Sequence, residues 1–447
     1  MDNLTHSLTG LAVGELIHRS LPAEPQAENQ GLRRYLMLLT CWLASNFPDL
    51  DLLLTPLLPR PLGYLLHHRG HTHTLLVAIP EGLLLCALIW AIWPAARRLL
   101  RESGSARRGF ALAAALGLVL HIAMDGLNVY GVHPFHPFDS RWMFGDMVFI
   151  VEPLFWMAFG IPVAMAARRT WTAYLLALPL LAAPLFFASQ AYLTWLSAVV
   201  LLVLGGVLGA LQIRAGERGK AALVAGGLAA IGFVVIQGAA GAQARRMVTQ
   251  DLQAKDPSTR VLDVALNAFP ANPLCWQFVS IEDNEASATY RLRRGQLTLA
   301  SEWLSLTGCP AKLREPRAAP TNAASASNAN PAKDGAQNAS MDAAVDATIN
   351  RSAYPAIDFL AETTGSLQQF RALQRENCHF DAWLRFARVP LLSGPRATDI
   401  RFSPAMTANF TTIDLQDMDA AACPSAVPAW GQPRADLLGA PNAAGRK

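Results

Sequence analysis

The sequence predicts an α-helical membrane bundle, with about seven spanning helices plus a short N-terminal helix. To this it joins a C-terminal soluble domain of mixed α+β, strand-containing type. Three observations carry that expectation. The 447 residues are 52% hydrophobic and only 16% charged, where soluble proteins carry about 25% charged residues. The deficit is concentrated between Tyr35 and Ala242, where long apolar runs follow one another. Beyond Arg245 the pattern becomes that of an ordinary soluble chain.

Seven runs approach the roughly 20 apolar residues that a spanning helix needs. They are Tyr35–Leu58, Thr74–Trp93, Gly109–Tyr130, Met147–Ala167, Thr172–Ala188, Ala191–Leu211 and Ala221–Gly241. Thr172–Ala188 is the shortest and forms a tight helical hairpin with its neighbour. An earlier run, Leu4–Ile17, is too short to span and carries His6 and Glu15. No basic segment precedes it and no small-residue cleavage site follows, which excludes a signal peptide. It reads as an amphipathic or re-entrant helix packed on the bundle.

Basic residues orient the spans. One set of alternate loops holds Arg19, Arg33, Arg34, Arg97, Arg98, Arg101, Arg107, Arg108, Arg168, Arg169, Arg214, Arg218 and Lys220. The other set holds only Arg60, Arg69 and Arg141. The excess marks the cytoplasmic side of the membrane. By parity, the tail after Gly241 is then expected on the outer side. Cys41 and Cys86 lie in apolar runs and read as packing residues. Cys275, Cys309, Cys378 and Cys423 all lie in the tail. In an oxidising compartment they permit two disulfides, with three possible connectivities.

The expected domain plan is a membrane domain over 1–242 and a first soluble part over 243–316. A low-complexity Ala/Asn/Ser insert over 317–348 is expected to be disordered. A second soluble part follows over 349–434, then a frayed terminus over 435–447. Within the tail, a helix is expected at Arg245–Ala254. Strands are expected in "WQFVSI" and "ATYRLRR" around the polar turn "EDNEAS". "YPAIDFLAETTGSLQQFRALQREN" is expected to be partly helical. "HFDAWLRFARVPLL" and "DIRFSPAMTANFTTIDL" are expected to supply further strands. The tail contains no catalytic motif, and a structural or substrate-gating role is the simplest reading of it.

Ionisable residues inside spans are costly and need a reason. Here they gather at one expected depth. "SNFPDLD" interrupts the first span, with Pro48 breaking the helix and Asp49 and Asp51 beside it. "HHRGHTHT" supplies His67, His68, Arg69, His71 and His73. "HIAMD" places His121 and Asp125 four residues apart, on one helix face. Asp146 and Glu152 open the next span at the same end, and His6 falls there too. Imidazoles and carboxylates together suit zinc, manganese or iron. Simpler readings stand beside this one. His18, His133, His136 and His379 read as hydrogen-bonded or snorkelling residues. Asp51 has helix capping as an alternative. Glu81 reads as a buried hydrogen-bonding group, and Glu15 as the partner of a nearby cation.

The motifs "MDNLTHSLTGLAVGE", "FPDLD", "HRGHTHT", "HIAMDGLNVYG", "HPFDSRW" and "DMVFIVEPLFW" occur in an order that resembles the YdjM-type inner-membrane proteins, a family described as predicted metal-dependent hydrolases. The resemblance covers roughly Met1–Pro162, with a weaker echo in "FPANPLCWQFV" and "DIRF". That family is in turn distantly similar to zinc-dependent phospholipase C and to zinc nucleases for single strands. The resemblance implies His6, Asp49, His68, His73, His121 and Asp125 as metal ligands, with one to three ions, zinc foremost. It supports neither His67 nor His71 as a ligand. Arg69 is the expected clamp for a phosphate or carboxylate. Asp51, Asp146 or Glu152 is expected to orient a ligand histidine or act as general base.

The function these residues suggest is a membrane-bound hydrolase of a phosphoester or other ester, acting with metal-activated water at the periplasmic face. The depth of the site points to a lipid or lipid-linked substrate within the bilayer. No nucleic acid is expected as a partner. A metal transporter or sensor would use the same ligands but would spread ionisable groups through the membrane depth. A scaffold with vestigial histidines is the third reading.

Overall fold

A computed structural model of the chain describes residues 1–167, 169–216, 219–314, 355–403, 406–419 and 422–438. The expected disordered insert lies outside the described residues. Two compact units are present. The first comprises Met1–Gln243, Asn267–Trp276 and Thr307–Leu313, and the second Ala244–Leu266, Gln277–Leu306 and Arg314–Lys447.

The first unit opens with helix α1, Asn3–Ser20, longer than the expected Leu4–Ile17. Asp2 caps it by accepting the Thr5 N–H at 2.9 Å. Helix α2, Ala27–Ala44, then runs back against α1. The expected span Tyr35–Leu58 is not one helix. Pro48 offers no backbone donor, so α2 stops at Ala44 and the chain turns into two 3-10 segments, Pro48–Leu53 and Thr55–Leu57. Helix α3, Leu62–His67, leads into the histidine-rich loop. Helix α4, Leu75–Ile92, starts where the Thr74 hydroxyl accepts the Val77 N–H at 3.2 Å. Helix α5, Pro94–Glu102, links it to α6, Gly104–Asp125.

Among the described helices, five are long and apolar enough to cross a membrane, where seven were expected. They are Leu75–Ile92, Gly104–Asp125, Thr170–Ser189, Trp195–Ala215 and Ala221–Lys255. The expected span Met147–Ala167 contracts to the shorter apolar helix Pro153–Met165, with a π-helical turn at Trp156–Gly160. Glu152 and Pro153 set its start: the Glu152 carboxylate accepts the Leu154 N–H at 3.2 Å. The last span runs on to Lys255 as one helix of 35 residues. It absorbs the separate helix expected at Arg245–Ala254.

Two glycines bring α1, α2 and α6 close together. A Cβ on Gly10 would meet Ser45 Oγ at 2.6 Å and Cys41 O at 2.8 Å. One on Gly117 would meet Ala44 Cβ at 2.5 Å and Cys41 O at 2.9 Å. Both helices therefore press on the last turn of α2, next to the point where Pro48 ends it.

The C-terminal part of the chain is α+β. A four-stranded sheet has the order β1-β2-β3-β4, from Arg260–Phe269, Asn272–Asn284, Thr289–Thr298 and Ile357–Ser366. β3 and β4 pair antiparallel, with a bulge between Arg294 and Gly295. A three-stranded antiparallel sheet joins β5 (Pro390–Ser393), β6 (Arg396–Asp399) and β7 (Ile413–Asp414). "IDFLAETTGS" forms β4, and a helix follows at Leu367–Glu376. Two strand expectations need correction. "HFDAW" lies in the helix Cys378–Trp383, because Asn377 caps it by accepting the His379 and Phe380 N–H groups. The "IRF" of "DIRF" is a 3-10 turn capped by Asp399. The expected frayed end also begins in order: Ala435–Leu438 is helical and Leu437 is fully buried. Disulfides join Cys275 to Cys309 in the first unit and Cys378 to Cys423 in the second. Cys41 and Cys86 are free.

Candidate metal centre

Four side chains from three places in the sequence converge. Asp49 comes from the 3-10 segment after α2, His73 from the loop before α4, and His121 and Asp125 from one face of the last turns of α6. Their ligand atoms all lie within 4.8 Å of one another, and all four residues are buried. His73 Nε2 lies 3.0 Å from His121 Nε2, 3.4 Å from Asp49 Oδ1 and 3.1 Å from Asp125 Oδ2. His121 Nε2 lies 3.6 Å from each of the same two oxygens.

The hydrogen bonds behind the rings assign the tautomers. His121 Nδ1 lies 2.7 Å from the Ser45 carbonyl, which only accepts, so Nδ1 carries the proton. Thr72 Oγ1 donates to Asp51 Oδ2 at 2.7 Å and thus accepts from His73 Nδ1 at 2.9 Å. In neutral rings both Nε2 atoms are then bare lone pairs. Asp49 Oδ1 and Asp125 Oδ2 are buried and have no hydrogen-bond partner. Four acceptors therefore face one another with no donor between them, which is costly unless a cation sits there. Two imidazoles and two carboxylates match the donor set of zinc and related metals, so the residues fit a divalent ion.

A second group adjoins the first and shares Asp49 with it: Asp49, Asp51 and His68. His68 Nδ1 lies 3.0 Å from Asp51 Oδ1, and Asp51 Oδ2 accepts the Arg69 N–H at 3.1 Å. Asp51 thus organises the histidine loop and does not cap a helix. It also helps hold Arg69 in the left-handed conformation, at φ 61°. Arg69 Nη2 pairs with Asp125 Oδ1 at 3.0 Å, and its guanidinium lies 4.6 Å above the Tyr130 ring. Arg69 Nε is buried without a partner. His6 Nε2 lies 3.2 Å from Asp125 Oδ1, and its ring stacks on His121 at 4.0 Å. The Met1 amino group also contacts Asp125 Oδ1.

The loop after α6 closes the site from the side. His133 Nε2 donates to Gly70 O at 2.5 Å, and Leu75 N–H donates to Pro134 O at 2.8 Å. Burial pushes the His133 imidazole down to about 4. His67 and His71 stack on each other at 5.6 Å and belong to neither ligand group. Asp146 is buried at φ 54° and likewise lies outside both groups.

Glu152 has different partners. Both its oxygens accept the Ala271 N–H at 3.1 Å, and one also accepts the Leu154 N–H. Ser197 Oγ donates to the Ala271 carbonyl at 3.1 Å. Ala271 sits at φ 47° between β1 and β2, within the stretch that belongs to the first unit. At the other end of that unit, Glu15 pairs with Arg19 and Arg34, each at 2.7 Å, as its expected cation partners.

Sequence reasoning did not weigh Ser45 or Thr72, which fix the two tautomers. Thr72 was visible as the residue before His73 in "HRGHTHT". Ser45 acts through its backbone carbonyl, which has no signature in a sequence.

One curated relative is the "Uncharacterized protein YfhP" of Bacillus subtilis (strain 168), 24% identical over 173 residues, or 39% of this chain. The match takes in 47% of that protein, so the chain spans about half the length of the curated relative it matches. No solved structure matches. Residues 1–196, which carry both ligand groups, match the family model of the YdjM inner membrane proteins.

Proposed function

We propose that the protein is a membrane-bound, metal-dependent hydrolase of a phosphoester or other ester. The observation that carries this reading is the pair of opposed, unprotonated Nε2 atoms of His73 and His121, flanked by Asp49 Oδ1 and Asp125 Oδ2. A divalent metal held there supplies a Lewis acid that lowers the pKa of water and polarises a phosphoryl oxygen. His73, His121, Asp49 and Asp125 are the residues that hold it, and Asp49, Asp51 and His68 offer a place for a second ion. The buried Arg69 Nε–H is the donor left for an anionic substrate group, while the same guanidinium orients Asp125. His6 donates to Asp125 Oδ1 and leaves Oδ2 directed at the imidazoles. Ser45 and Thr72 keep both rings in the ligating tautomer.

The arginine asymmetry of the loops supports a periplasmic face for this site, and the two disulfides support an oxidising compartment for the C-terminal part. Elemental analysis of the purified protein, paired with hydrolysis of bis(p-nitrophenyl) phosphate, tests the reading. Bound transition metal and activity, both lost in Asp125→Ala, are the expected result. Metal without hydrolysis of any phosphoester or carboxylic ester would favour a carrier or sensor.

A further inference from the structure

An apolar cavity in the first unit lies between α2, the 3-10 segment that follows it, and α4. It has a volume of about 590 Å³. Leu43, Phe47 and Leu50 line one wall, and Leu85, Leu88 and Ile92 line the other. The one polar side chain of the amide type on its wall is Asn46, which donates to Ser7 Oγ at 3.2 Å.

We infer that this slot holds one hydrocarbon chain of a lipid ester whose polar end reaches the Asp49–His73–His121–Asp125 cluster. The inference rests on the hydrolytic reading of that cluster and names its substrate class. Continuity is the first argument. Phe47 and Leu50 bracket Pro48 and Asp49, so one short segment forms a wall of the slot and supplies a ligand candidate. The second argument is the stripe on α4. Glu81, Leu85, Leu88 and Ile92 follow at i, i+4, i+7 and i+11, on a single helix face. The stripe begins at the site end of the helix with Glu81. The Glu81 Oε2 is buried without a hydrogen-bond partner. The face thus passes from a polar head position to pure hydrocarbon over three turns.

The third argument concerns what surrounds the slot. Helix α4 is the least buried of the five spans, at 17%. The 3-10 segments present Leu53, Leu54 and Leu57 outward at 72%, 63% and 79% exposure. A segment with two buried carboxylates on one side and bare leucines on the other has its stable place where headgroups meet hydrocarbon. A lipid chain enters such a slot laterally from the bilayer.

Two measurements test this. In the first, full-length protein in nanodiscs is labelled with a phosphatidic acid carrying a diazirine at the end of its acyl chain. Labelling concentrated on Leu43–Leu50 and Leu85–Ile92, and abolished by Leu88→Trp, is expected. Even labelling over all lipid-facing helices means annular lipid only, and overturns the proposal whether or not the protein is an enzyme. In the second, hexadecyl p-nitrophenyl phosphate is compared with bis(p-nitrophenyl) phosphate. Leu88→Trp is expected to lower kcat/KM about tenfold for the long-chain substrate only, the equivalent of losing contact with roughly two methylenes. Leu83→Trp, on the opposite face of α4, should change neither. Equal loss on both substrates, or on neither, contradicts an acyl slot. If the parent protein cleaves neither substrate, the hydrolytic reading fails and the labelling experiment alone decides the slot.

Discussion

Asp125 and Glu152 are both fully buried carboxylates in the first unit, and both stand out in the sequence as acidic residues at the same end of apolar runs. Their surroundings differ in kind. Glu152 has both oxygens met by backbone donors, from Ala271 and from Leu154. Asp125 turns Oδ1 to Arg69 and His6 and leaves Oδ2 facing two imidazole lone pairs. A carboxylate with an N–H donor on each oxygen is satisfied and acts as a clamp. One that faces other acceptors is completed by a cation. Among buried acids in this chain, the discriminating feature is thus the polarity of the partners and not the burial.

Substitutions at the two positions should separate the roles. Asp125→Ala removes the oxygen that faces both imidazoles and should abolish metal binding, read by elemental analysis. A smaller effect is expected one step back, at the relay from Asp51 through Thr72 to His73. Thr72→Val keeps the shape but deletes the hydroxyl. It should weaken zinc affinity about 10- to 100-fold, as measured by competition with a chromogenic chelator. Unchanged affinity would show that the relay does not set the His73 tautomer.

Glu152→Ala should leave metal content as it is. It strips the Ala271 and Leu154 N–H groups of their acceptor and should cost about 1–3 kcal/mol of stability, seen as a lower midpoint of thermal unfolding in detergent. Loss of metal in this variant would erase the contrast with Asp125.

A comparable effect is expected in the second unit, where a paired carboxylate is outside the membrane part. Burial alone would raise the Asp263 carboxyl, but the charges of Arg388, Arg434 and Arg245 outweigh it and hold the group down at about 2. Arg388 grips it with Nε at 2.7 Å and Nη2 at 3.1 Å. The folded value lies below the unfolded one, so the stabilisation is complete above about pH 4 and fades as pH falls through about 2. Asp263→Asn should remove about 2 kcal/mol at neutral pH and flatten the acid limb of the stability profile. An unchanged acid limb would contradict the pairing.

Much of this was legible in the sequence because membrane burial makes each polar residue costly. Asp49, His73, His121 and Asp125 were all singled out by their position in or beside apolar runs and by the motifs around them. The spacing of His121 and Asp125 alone placed them on one helix face. The resemblance, and not spacing, distinguished His68 and His73 from His67 and His71, and the structure keeps the latter pair out of both ligand groups. The candidate residues were legible, but their partners were not. Glu152 shared its end of the bundle with the ligands, and only the fold shows that its donors come from Ala271, more than a hundred residues later. Helix ends were misread where a proline intervened: Pro48 cut the first expected span and Pro153 delayed the fourth. The tail strands were read well where alternation was long, as in β2 and β3. They were misread at "HFDAW", where an asparagine cap outweighs aromatic β-propensity.

The most direct measurement of the central claim is the transition-metal content of the purified full-length protein after dialysis against metal-free buffer. At least one tightly held zinc, manganese or iron per chain, lost in His121→Ala and kept in Glu152→Ala, is the result predicted here. A folded protein that holds no such metal at micromolar zinc would contradict it, and the four facing acceptors would then have to be neutralised by protons.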